Sequence, residues 1–162
     1  MAIQQDLHKT YSVDEAKKKL EQYCAYQERC HKEVVDKLIA MKMIPEARDL
    51  IVVHLIKNDY LNEERYAMAF VRGKFRIKKW GTYRLTRELK RKDINRVLIQ
   101  SSLKQISNEE YLSTLHELAE KKLSSIRESN LQKRKKKLAD YLLYRGWESH
   151  LVYDKVNELI RK

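Results

Sequence analysis

Glycine and proline are almost missing from this sequence. The 162 residues include three glycines (Gly73, Gly81, Gly146) and one proline, Pro45, too few turn-formers for a many-stranded sheet. Cysteine is nearly as scarce. Cys24 and Cys30 form no C-x-x-C pair and join no Cys/His cluster at zinc spacing. Two unpaired thiols in a reducing compartment are therefore expected. No apolar run approaches the ~18 residues of a spanning helix, and the opening MAIQQDLHKT lacks the apolar core of a signal peptide. A cytoplasmic location without membrane contact is expected. There is also no nucleophile elbow, P-loop, paired-carboxylate constellation or metal-ligand spacing. The five histidines, His8, His31, His54, His116 and His150, are dispersed. Neither enzymatic turnover nor a cofactor is expected.

Charge, by contrast, is abundant. Hydrophobic residues make up 43% of the chain and charged ones 36%, against ~25% charged in an average domain. Amphipathic helices accommodate that mixture, so the fold class read from the sequence is all-α. The formal net charge of +12 points to a polyanionic partner: nucleic acid, an acidic protein surface or anionic lipid.

Three helix starts share one grammar. Ser12-Val-Asp-Glu15 and Ser107-Asn-Glu-Glu110 read as capping boxes, and Asn62-Glu-Glu64 places a capping residue before two acids. Each start precedes an apolar stripe at helical spacing: Ala16, Leu20, Tyr23; Ala67, Phe70, Val71, Phe75; Leu115, Ala119, Leu123, Ile126. A second helix follows in each case, carrying Val34, Val35 and Leu38, then Leu85 and Leu89, then Leu131, Leu138 and Leu142. The breaks after these helices align as Leu38 with Met43, Leu89 with Ile94 and Leu142 with Trp147. Lys42, Asp93 and Gly146 occupy the position where a helix stops in the left-handed conformation. Pro45 suits the first turn of the next helix, and Ser149 is the expected N-cap of the last.

The pattern predicts three tandem three-helix repeats of about 50 residues, stacked into an elongated, curved molecule. The expected divisions are an N-terminal extension at 1–11 and repeats at 12–60, 61–106 and 107–162. Nothing in the pattern demands a dimer, and a monomer is expected.

The positive charge is unevenly divided. Residues 11–44 hold seven Lys or Arg against six Asp or Glu, whereas 72–92 hold ten against one and 121–145 nine against two. The candidate partner-binding face is therefore Arg72, Lys74, Arg76, Lys78, Lys79, Arg84, Arg87, Lys90, Arg91 and Lys92, with Lys133, Arg134, Lys135, Lys136, Lys137 and Arg145. Leu85 and Leu89 occupy one face of their helix, and Arg84, Arg87 and Arg91 are expected to form a second stripe at i, i+3, i+7. Arginine carries particular weight because its planar fork grips phosphate or carboxylate in bidentate fashion. Tyr66, Phe70 and Phe75 are read as core, Trp80 as part of a turn and Trp147 as a core position.

The stretch from Leu61 to Ile94 resembles the RecX family of bacterial RecA regulators. Glu63, Glu64, Arg65, Tyr66, Ala67 and Phe70 match the family's first central motif, and Gly81, Leu85, Glu88, Leu89, Lys92 and Ile94 its second. Leu142-Leu-Tyr-Arg-Gly-Trp147 is similar to a C-terminal family motif, and Arg29 to Leu38 is a looser match. Asp93 stands where the family usually has Gly, and Thr82-Tyr83 where Pro is common. The resemblance implies tandem three-helix repeats. It also implies a protein that binds the RecA–DNA filament and modulates, mainly inhibits, its recombinase, ATPase and coprotease activities in DNA repair and the SOS response. An alternative reading is a direct helix-turn-helix-like DNA- or RNA-binding module.

Overall fold

The computed structural model describes residues 9–161; the first part of the expected N-terminal extension, residues 1–8 with His8, lies outside them. The described residues are helical with no strand. They form α1 (Val13–Tyr26), α2 (His31–Ala40), α3 (Pro45–Lys57), α4 (Glu63–Gly73), α5 (Thr82–Arg91), α6 (Arg96–Leu103), α7 (Asn108–Ser125), α8 (Leu131–Tyr144) and α9 (Ser149–Leu159). A π-helical turn, Lys74–Lys78, extends α4. Two compact units result: one runs to Tyr66 and includes Lys92–Ile94, and the other comprises Ala67–Arg91 and Asn95 onward.

Helix starts follow the capping chemistry read from the sequence. Ser12 Oγ accepts from the Glu15 amide at 3.1 Å, Asn62 Oδ1 from Arg65 at 2.9 Å and Ser107 Oγ from Glu110 at 3.1 Å. Asn95 and Asn130 add side-chain caps on α6 and α8. Each such cap is worth roughly 1 kcal/mol. The last helix departs from expectation. Its N-cap is Glu148 and Ser149 is its first helical residue; the Glu148 side chain makes no capping bond, its carboxylate being engaged by Tyr111 and Thr82.

The helix stops behave as the alignment requires. Lys42 (φ 59°), Asp93 (φ 58°) and Gly146 (φ 90°) all adopt positive φ. At two of these stops the backbone closes a Schellman pair: Met43 N–H reaches Leu38 O at 3.1 Å, and Trp147 N–H reaches Leu142 O at 3.3 Å. Asp59 and Lys79 adopt the same left-handed conformation without a glycine to announce it.

In the first unit Ala16, Leu20 and Cys24 of α1 pack with Val34 and Leu38 of α2 and Ile51 and Leu55 of α3, closed by Met41 and Leu61. Around this core Arg65 is held at 2.6 Å by Glu28 and at 3.1 Å by Asp59. Glu33 receives both Tyr66 Oη at 3.3 Å and Lys92 Nζ at 3.2 Å.

The second unit is centred on aromatic packing. Phe75, Tyr111 and Trp147 are all buried, with ring centroids 4.4 Å apart for Tyr111–Trp147 and 6.0 Å for Phe75–Tyr111. Burying aromatic rings of this size stabilises by roughly 1.5–3 kcal/mol each. The start of α5 meets the α8–α9 turn backbone to backbone. Gly81 N–H donates to Arg145 O at 2.8 Å, and Tyr83 N–H to Gly146 O at 3.0 Å. A Cβ on Gly81 would stand 2.5 Å from Gly146 O, and one on Gly146 would overlap Arg84. Trp147 Nε1–H is satisfied at 3.0 Å by Lys79 O. Phe70, Leu123, Ile126 and Leu131 are half-buried rather than core: Phe70 packs against the half-buried Trp80 with ring centroids 6.2 Å apart, Ile126 is the C-cap of α7 and Leu131 opens α8.

Candidate partner-binding surface

The basic residues singled out by the sequence fall into distinct groups, each placed by a different packing constraint. Leu85 and Leu89 anchor α5, which turns Arg87, Lys90 and Arg91 outward. They line an open groove of about 850 Å³ between α5 and α6, together with Arg96. Glu88 lies 3.8 Å from Arg87 and 3.4 Å from Arg91. Lys90 and Arg96 have no acidic partner among the described residues, so the groove keeps a local excess of positive charge. Half-buried Leu103 and buried Ile99 supply its aliphatic lining, beside the exposed Tyr83.

Arg84 lies outside that groove. Its guanidinium stacks 4.3 Å from the Trp80 centroid and 5.0 Å from that of Tyr144, and donates to Tyr144 O at 3.4 Å. Lys74 Nζ lies 5.2 Å from the Trp80 ring. The result is a ladder of alternating rings and cations, each contact worth roughly 0.5–1 kcal/mol at an exposed site. Arg84 is therefore half a packing residue, which the i, i+3, i+7 spacing does not disclose.

A third group surrounds Tyr141. Lys122 and Arg145 approach its ring at 4.8 and 4.9 Å. Lys79, Lys121, Lys122 and Arg145 line a hollow of about 530 Å³ with Tyr141 and Glu117. Arg145 is fixed there by donating to Lys78 O.

The lysine run of α8 is more neutralised than its sequence implies. Lys136 pairs with Asp140 at 2.6 Å, Lys137 with Glu128 at 3.5 Å, and Lys135 reaches Asn157 at 3.3 Å. The Asp140 contact raises the Lys136 ammonium above its ordinary range. The Asn130 amide holds Glu128 below its own range. Arg134 is half-buried and Lys133 exposed. Lys92 is committed to Glu33, while Arg72, Arg76 and Lys78 are exposed.

Sequence reasoning missed Arg96, Lys121 and Lys122 as members of these groups. Arg96 was available as the residue directly after the Asn95 cap. Lys121 and Lys122 lie near the end of α7 (Asn108–Ser125), and the local sequence does not signal their approach to Tyr141.

The second three-helix domain of RecX matches residues 62–103, and the third matches residues 109–156. The chain belongs to the RecX family. The regulatory protein RecX of Bacillus cytotoxicus is 27% identical over 137 residues, covering 85% of this chain and 51% of the relative. The RecX of Clostridium acetobutylicum is 30% identical over 138 residues, covering 83% of this chain and 62% of the relative. The chain thus spans about half to three-fifths of these curated relatives. The crystal structure of RecX from Lactobacillus salivarius superposes with a TM-score of 0.78 at 23% identity, over 91% of this chain and 96% of that one. This likeness supports the tandem helical-repeat fold. The curated RecX relatives are named regulatory proteins. No helix among the described residues is long and apolar enough to cross a membrane.

Proposed function

We propose that this RecX-family chain binds the RecA–DNA filament and modulates, mainly inhibits, its recombinase, ATPase and coprotease activities in DNA repair and the SOS response. The observation that supports this reading is the α5–α6 groove, where Arg87 and Arg91 share the Glu88 carboxylate and Lys90 and Arg96 have no acidic partner among the described residues. A filament of protein and nucleic acid supplies the matching negative charge. The Trp80–Arg84–Tyr144 ladder and the Tyr141 hollow add separate contacts, and several weak contacts along one filament multiply through effective concentration. The repeats at 12–60, 61–106 and 107–162 are the units we assign to this binding. Regulation by occupancy needs no turnover by the chain itself.

The test is RecA on single-stranded DNA with ATP hydrolysis followed over time. Wild-type protein is expected to slow hydrolysis. The Arg87→Glu/Arg91→Glu/Arg96→Glu variant should require roughly tenfold more protein or worse for the same effect, with its helical circular dichroism unchanged. Equal inhibition by that variant would remove the groove from the reading. A gel shift on naked DNA separates the helix-turn-helix alternative: tight, sequence-selective binding without recombinase supports that module, and weak nonselective binding supports the filament regulator.

A further inference from the structure

The α5–α6 groove has an apolar lining inside a cationic rim, and this combination distinguishes between the two components of a protein–DNA filament. We infer that the groove docks an acidic amphipathic helical segment of a protein, with apolar side chains on Leu103 and Tyr83 and carboxylates on Arg87, Lys90, Arg91 and Arg96. The inference rests on the polyanionic partner proposed above and narrows it to the protein component.

A phosphate run is met by donors alone, and covering apolar lining with a hydrated phosphate brings no compensating contact. Unstacked bases prefer successive flat aromatic faces, and this groove offers one aromatic, Tyr83, 62% exposed at its wall. An amphipathic helix fits both surfaces at once. Its apolar row at i, i+3/i+4, i+7 enters the groove and its flanking acids meet the rim. The volume of about 850 Å³ is near the upper end of single-ligand cavities, roughly 300–1,000 Å³, and suits a row of side chains. Charge complementarity commits the site further. Arg87, Arg91 and Arg96 each present a planar fork that accepts a carboxylate in bidentate fashion. Lys90 and Arg96 lack any acidic partner of their own among the described residues, so a carboxylate arriving there displaces no internal ion pair.

Fluorescence anisotropy tests this with three labelled probes. One is a short peptide with leucines on one helical face and glutamates elsewhere; another has the same composition with the leucines scattered; the last is an oligothymidylate of matching length. The facial peptide is expected to bind roughly tenfold tighter than the scattered one. Leu103→Gln and, separately, Thr86→Glu should each cost roughly tenfold. Thr86→Glu places an anion at the groove wall and does not touch the buried core, so it keeps the test decisive if Leu103→Gln unfolds the chain. Equal binding of both peptides would reduce the groove to a charge sensor and overturn the inference. So would oligothymidylate binding that exceeds the facial peptide and is lost in Thr86→Glu. Because no recombinase is present, failure here with ATPase inhibition intact retires the groove assignment alone. Peptide binding without any ATPase inhibition retires the filament reading instead.

Discussion

Lys42 and Asp93 hold backbone conformations that cost an L-residue roughly 1–2 kcal/mol, and Gly146 holds a similar one without that cost. Lys42→Gly is therefore expected to raise stability by about 1 kcal/mol, read as a higher denaturant midpoint at constant slope. Gly146→Ala should do the reverse, by about 2 kcal/mol or more, because its new methyl meets Arg84 as well as the unfavourable φ. The thiols make a separate case. Cys24 and Cys30 are both buried and free. Burial pushes the Cys24 thiol from its ordinary 9.0 up to about 11. The folded protein holds that proton more tightly than the unfolded chain. Its stabilising contribution is complete below about pH 9 and fades as pH rises through about 11. Chemical denaturation between those limits should show stability falling with pH, and Cys24→Ala should flatten the slope. At neutral pH a thiol reagent should label neither cysteine until denaturant is added.

At the scale of helices, the same face pattern yields different surfaces according to what lies opposite. On α5, Leu85 and Leu89 face inward, and three of the outward cations converge on α6 and its Arg96. On α8 the lysines project just as regularly, yet Asp140, Glu128 and Asn157 take three of them up. Salt dependence should report this contrast. Reversing Arg87 and Arg91 should lower the slope of filament inhibition against salt, whereas reversing Lys136 and Lys137 should change it less. The sequence discloses which helices exist and which residues turn inward, because caps, apolar spacing and turn residues are local. It does not disclose that Arg84 is clamped between Trp80 and Tyr144. Nor does it disclose that Glu148 is drawn away from capping chemistry by Tyr111. Those arrangements depend on residues distant in the chain. The π-helical turn after α4 is illegible for the same reason: Phe75 is buried against Tyr111 and Trp147, and no local residue signals the widened turn.

At the scale of the whole molecule, the two compact units differ in how they are held. The first rests on an aliphatic core ringed by ion pairs to Arg65 and Glu33. The second rests on three packed aromatics and on the meeting of Gly81 with Gly146. Hydrogen exchange should accordingly show the Gly81 and Tyr83 amides protected to the same degree as the α8 and α9 interior, since opening one side of that contact exposes the other. The glycine meeting also governs how the chain tolerates changes in length. Extra residues beside the exposed Arg127 would lengthen a surface connection and leave the Glu128 contacts with Asn130 and Lys137 in place. A single residue inserted between Lys79 and Thr82 would carry Gly81 past its opposite number and bring a side chain to a place that has room only for backbone. Length variation among descendants of this sequence should therefore accumulate in the first segment and be purged from the second.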